Sequence, residues 1–260
     1  MNALCVADAM NLSRIVFPRA RPMILPEYHR GVALLTPSDE TAEGQEKTYS
    51  GRFFKPSDLP KELLQKRIDF SIFNKRRLAF KHNLVRIFTF SQLPPRRVVD
   101  TVFYMRGGDI FRPKPHRGYL QYPIYFVEKV LDLRGHTLND IQNAADNEKQ
   151  VLAQVQDLTN PVAKWWSDCR LPHNDPNASL DEALHAMMHC KALAYGVSTL
   201  PSVAVYLSKH LEHVYYPDYF ACNVGRDLSS TVISLPGYIK RGTWKGDHDQ
   251  LNQMVTYKPH

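Results

Sequence analysis

The feature that most limits the fold is a pair of runs rich in β-branched and aromatic residues, 84–91 (LVRIFTFS) and 97–106 (RVVDTVFYMR), joined by Gln92-Leu93-Pro94-Pro95-Arg96. Such side chains pack well on a pleated sheet, and the proline pair fixes φ and removes two backbone donors. The connection therefore lies between strands and not inside a helix, which predicts a β-hairpin or an adjacent strand pair. Two further stretches read as strands: the first half of 122–133 (YPIYFVEKVLDL) and 228–235 (LSSTVISL).

Helical signals lie on either side. Ser57 or Asp58 caps a helix with Pro60 in its first turn and Leu59, Leu63, Leu64, Ile68 and Ile72 near helical spacing. Thr137 with Asp140 three residues on opens a helix to about 158, with Leu138, Ile141, Ala145, Leu152 and Val155 on one face. Ser179 and Glu182 form a capping box for a helix that stops at Gly196, and a second helix runs from Pro201 to about Tyr215. The segment 160–176 reads as a loop and the last twenty residues as an irregular polar tail. The expected class is α+β, with central antiparallel strands at about 84–106, 122–128 and 228–235 and a C-terminal helical hairpin.

A proline-bearing N-terminal arm and mobile loop, 1–51, ends in an acidic polar stretch at 39–46 (DETAEGQE). The remainder, 52–260, reads as a single α+β domain with a basic segment at 75–117 and a helical part at 137–215. A hydrophobic content of 43% over 260 residues is enough to bury a substantial core without staples.

Charge is local. Residues 75–117 carry eleven Lys and Arg against two acids, a net of +9, within a chain whose total is +7. Phe80, Phe88, Phe90, Phe103, Tyr104, Phe111 and Tyr119 interleave with the cations. Lys and Arg neutralise phosphates with counterion release, and aromatic faces stack on unpaired bases. The first functional expectation is thus a non-enzymatic protein that binds nucleic acid, RNA or a single strand. Arg76, Arg77, Arg86, Arg96, Arg97, Arg106, Arg112, Lys114 and Arg117 would contact phosphates, with Phe88, Phe111 and Tyr119 as stacking candidates. An acidic protein or lipid surface is the alternative partner for the same charge.

Histidines supply a second constellation. His185 and His189 share one helix face at i, i+4, and His210 and His213 follow at i, i+3, so two facing helices could close a tetrahedral zinc site. No CxxC or HExxH supports it, and histidines near a helix C-terminus are favoured by the dipole alone. No other cofactor is expected.

The hexapeptide Leu59-Pro60-Lys61-Glu62-Leu63-Leu64 resembles the LPxEL opening of an F-box, the helical motif that docks onto a ubiquitin-ligase adaptor. Only these six positions match. The resemblance implies an interaction protein whose 57–74 helix docks an adaptor. A third reading is an enzyme whose active site has no sequence signature, since GxSxG, Walker A and GxGxxG are all missing while triads need no fixed order.

Cys5, Cys169, Cys190 and Cys222 show no paired spacing, which points to a reducing intracellular compartment, cytoplasm or nucleus. Arg14, Arg19 and Arg21 against a single early acid leave organelle import open. The uncharged run 192–208 is short and broken by Gly196 and Pro201, so no membrane span is expected. The sequence leaves the oligomeric state undefined.

Overall fold

The computed structural model describes residues 96–145, 150–176, 178, 180–198, 200–220 and 228–259. The expected N-terminal arm, the 57–74 helix, the strand at 84–91, and Arg76, Arg77, Arg86 and Phe88 lie outside them. The described residues contribute five strands: β1 (Val99–Met105), β2 (Val151–Val155), β3 (Cys190–Tyr195), β4 (His213–Pro217) and β5 (Ser229–Ile233). Six α-helices accompany them: α1 (Ile124–Leu133), α2 (Leu138–Asn143), α3 (Pro161–Asp168), α4 (Leu180–Met188), α5 (Leu200–Leu207) and α6 (His248–Thr256).

The strands form one sheet in the order β2-β1-β3-β4-β5, and each of the four pairings is parallel. The expectation of central antiparallel strands is therefore wrong, and the class is α/β with a doubly wound, Rossmann-like sheet. The physical reason lies in what separates the strands. Neighbouring parallel strands need crossovers of a dozen or more residues, and helices occupy the stretches between β1 and β2, β2 and β3, and β3 and β4.

Burial shows which face each helix covers. Phe103 and Met105 of β1, Val151, Ala153 and Val155 of β2, and Ala192 and Ala194 of β3 share one core cluster with Phe126, Val127 and Val130 of α1, Trp166 of α3 and Met254 of α6. The opposite parity of the same strands, Val102, Leu193 and Tyr195, is also buried, beside α4 and α5, which pack on each other. A sheet covered on both faces reads as continuous apolar runs without alternation. That is why CKALAY at 190–195 and the strand at 213–217 merged with their neighbouring helices in the sequence reading. The helices at 180–188 and 200–207 do pack together, but β3 runs between them, so they are no simple hairpin.

Other boundaries follow local chemistry. The segment 122–128 is the first half of a helix, because Ile124, Val127, Val130 and Leu131 recur at helical spacing and are buried. Thr137 and Asp140 make the anticipated capping box, yet the helix stops at Asn143 and the next apolar run is β2. Asn160 caps α3 and Pro161 sits in its first turn, where the missing N–H costs nothing. Asp247, read as part of an irregular tail, accepts from Gln250 N and caps α6. The outer edge of β2 is closed by the strap 172–174: Ala153 N donates to Pro172 O at 3.0 Å, and the Asn174 side chain bonds both Val155 N and Val155 O.

Candidate ligand crevice at the carboxyl edge of the sheet

Strand order fixes where a site can form. β1 and β3 are neighbours, yet the chain leaves β1 for helices on one face and leaves β3 for α5 on the other. Where two outgoing connections diverge, a crevice opens beyond the carboxyl ends of the strands.

β1 runs out into Arg106-Gly107-Gly108-Asp109, a turn fixed from several sides. Gly107 N donates to Gln156 Oε1 at 2.9 Å, and Asn160 Nδ2 donates to Arg106 O at 2.7 Å while its Oδ1 accepts from Val162 N and Ala163 N at the start of α3. A Cβ on Gly107 would lie 2.5 Å from Asp157 Cγ, and Gly108 has φ +60, so the two glycines answer different demands, close approach and a left-handed backbone. The Arg106 guanidinium pairs with Asp109 through two bonds, 3.2 and 2.8 Å, and stands 4.0 Å above the Tyr119 ring. Burial opposes its charge, but the bonds and charge of Asp109 outweigh that and hold it cationic.

Beside this turn is a cavity of about 250 Å³. Its walls are Val155, Pro176, Ala178, Ala183 and Leu200, with polar groups from Tyr104, Gln154 and Gln156. Gln154 is 3% exposed, and its Oε1 has no hydrogen-bond partner among the described residues. An amide oxygen left unpaired in the interior costs about 1–3 kcal/mol. Burial pushes the Tyr104 phenol above its usual range, while a side-chain bond with Ser198, just before α5, opposes the shift. The arrangement offers a partly apolar cavity, one acceptor in want of an N–H or O–H donor, and a Gly-Gly turn close by whose arginine is paired with Asp109.

Among the described residues, those singled out in the sequence are divided between the two edges of the sheet. Arg96 and Arg97 precede β1 at the amino edge; burial lowers the Arg96 pKa, and the nearby charge of Glu182 acts against that. Arg106, Arg112, Lys114 and Arg117 follow β1 at the other edge, roughly 20 Å away for seven residues of strand. Phe111 packs edge-on against Trp244 at 5.8 Å, and Tyr119 carries Arg106 on its face. The structure thus commits both rings to the protein's own packing.

His185, His189 and His210 do adjoin, with ring centroids 4.3 and 5.3 Å apart along the series. His213 turns instead to Thr231 Oγ1 at 2.8 Å and the Tyr215 ring. His189 Nδ1 is bonded to His185 O, and among the described residues no group of three or more His, Cys, Asp or Glu is placed to hold a metal. Burial, then His189 and Arg96, lower the His185 pKa to about 4; burial, His189 and Lys209 lower that of His210.

The residues missed are Gln154, Gln156 and Asn160. Glycines following a strand that ends in arginine are a legible signal for such a turn; a glutamine inside an apolar strand gives none until the partner helix is known.

No protein-family model matches the chain, and no curated protein matches it. Among solved structures, the E. coli ADP-heptose lps heptosyltransferase II is similar at 17% identity, over 76% of this chain and 56% of that one, with a TM-score of 0.29. This chain therefore spans little more than half of that protein's length, and a likeness at that TM-score carries no argument.

Proposed function

We propose that the 96–259 unit binds a phosphate-bearing small molecule of nucleotide type at the carboxyl edge of the sheet, in the cavity beside the ends of β1 and β2. The observation that supports this reading most is the cavity at the carboxyl ends of β1 and β2, walled by α4 and the start of α5, with Gln154 and its unpartnered carbonyl in its lining. The apolar walls suit a planar heterocycle whose N–H donates to Gln154 Oε1. A phosphate would reach the Arg106 guanidinium by taking the place of Asp109, which now holds its two bonds, since Gly107 N is committed to Gln156 Oε1.

This small-ligand reading takes the place of stacking on Phe111 and Tyr119 as the primary function, since both rings are engaged. Cys169 and Cys190 are free thiols, which supports a reducing intracellular setting. Among the described residues no helix is long and apolar enough to cross a membrane.

The test is a thermal-denaturation series on the full chain with adenosine, guanosine, cytidine and uridine diphosphates, inorganic pyrophosphate and ribose 5-phosphate. A ligand at a hundred times its Kd stabilises by about 2.7 kcal/mol, a rise in Tm of about 5–10 °C for a unit of this size. At least one nucleoside diphosphate is expected to raise Tm more than pyrophosphate does, and Gln154→Leu to abolish the difference. Indifference to all six compounds at millimolar concentration overturns the reading.

A further inference from the structure

The basic loop after β1 does not stand alone. Gly242 N donates to Arg117 O at 3.1 Å, Trp244 Nε1 donates to Ile110 O at 2.7 Å, and a Cβ on Gly246 would sit 3.8 Å from Pro115 Cγ. These contacts lay the segment 240–246 (KRGTWKG) beside 110–117 (IFRPKPHR), so residues far apart in the chain share one surface. Six cations are exposed on it: Arg112, Lys114, Arg117, Lys240, Arg241 and Lys245. Neither segment contains an acid, and none of the six has a carboxylate at ion-pair distance among the described residues. The surface is rigidly presented. Gln250 ties Lys245 N, Gly246 N and Thr243 O, and Lys240 O accepts from Thr243.

We propose that this two-segment basic surface binds the phosphate backbone of a duplex nucleic acid without reading its bases. The chemistry selects that partner. Single-strand binding needs free aromatic faces, but Trp244 is fully buried and Phe111 packs on it. Stable adsorption to a bilayer adds exposed apolar or aromatic residues to the basic ones, and the large hydrophobics exposed among the described residues, Leu133, Leu158, Val203, Val232 and Val255, all lie outside these segments. What remains is a set of guanidinium and ammonium groups with unpaired donors, matched to a row of phosphates.

Fluorescence anisotropy of the full chain with a 24-base-pair RNA duplex of random sequence, titrated between 50 and 200 mM salt, tests this. Six backbone contacts give a fall in affinity of about 2,000-fold over that range, and three contacts about 40-fold. The combined variant Lys240→Ala, Arg241→Ala, Lys245→Ala is expected to show the shallower dependence. So is Arg112→Ala, Lys114→Ala, Arg117→Ala, which guards against a folding defect in either one. Lys164→Glu, on α3, and Gln154→Leu are expected to leave duplex binding unchanged, so failure of the crevice reading stays separate. No duplex binding at 50 mM salt, an unaltered salt slope in both triple variants, or tighter binding to phosphatidylserine vesicles than to duplex overturns the proposal.

Discussion

Replacing Gln154 by Leu separates a ligand-binding residue from a structural one. Gln154 lies on β2 opposite Tyr104, almost wholly buried, with its Oε1 unpartnered among the described residues. An ordinary buried polar residue destabilises the protein when truncated, because its partner is stranded. Here the carbonyl has no partner to strand among the described residues. Leucine has a similar reach, stays in the cavity wall with Val155 and Ala183, and removes a desolvated carbonyl whose burial costs about 1–3 kcal/mol. Discounting for the amide nitrogen and for the imperfect fit of a branched side chain, the unliganded variant is expected to gain about 1 kcal/mol, or 2–4 °C in Tm. The same change should abolish the extra thermal shift given by a nucleoside diphosphate. Urea denaturation of both forms, with and without nucleotide, reads both quantities. A loss of stability greater than about 1 kcal/mol in the unliganded variant would show that the carbonyl is already satisfied, and the argument for a ligand donor would collapse.

Three more outcomes follow from the same geometry. Gly107→Ala places a methyl 2.5 Å from Asp157 Cγ and should cost about 1–3 kcal/mol and weaken nucleotide binding, whereas Gly135→Ala, left-handed at φ +71 but in open space, should keep binding intact. Asp100 accepts from Arg134 Nε at 3.0 Å, from the Arg134 terminal nitrogen, from Thr101 Oγ1 at 2.8 Å and lies 2.9 Å from His136 Nε2. Burial alone would raise its pKa, but the bonds from Arg134, His136 and Thr101 bring it down to about 2. The ionised form is therefore favoured by folding: Asp100 should contribute about 2 kcal/mol above pH 4, lost as pH falls toward 2, and Asp100→Asn should remove that component from an acid titration of stability. His185 has the opposite chemistry and the same direction. Its pKa drops from 6.5 to about 4, so the unfolded chain takes up the proton first, and stability should fall by about 2 kcal/mol between pH 7 and pH 5; His185→Gln showing an equal fall would assign it elsewhere.

How much of this was readable in advance depended on whether a segment's partners were local. Val99–Met105 and Ser229–Ile233 were found because strand propensity and turn residues bound them tightly. The cap at Thr137 was found because a capping box is closed within four residues. Cys190–Tyr195 and His213–Pro217 were not, because a strand buried on both faces has no alternation, and only His189 or the short stretch 208–212 parts each from the helix before it. Direction was lost with them: hairpin and crossover differ in what fills the connection, so missing β2, β3 and β4 turned a parallel sheet into an antiparallel one. In the site, the Gly-Gly turn was visible as a loop, but its meaning came from strand order. Gln154 became distinctive only once α4 had closed over it.

The central claim concerns one edge of one sheet, and backbone amide shifts report on it directly. In a titration of isotopically labelled protein with the best-binding nucleoside diphosphate, the largest shifts should fall at Gly107, Gly108, Val155, Gln156 and Ser198, leaving the amino edge around Asp100, Lys191 and Glu212 unmoved. Shifts centred on that amino edge, or spread over the exposed lysines in proportion to charge alone, would contradict it.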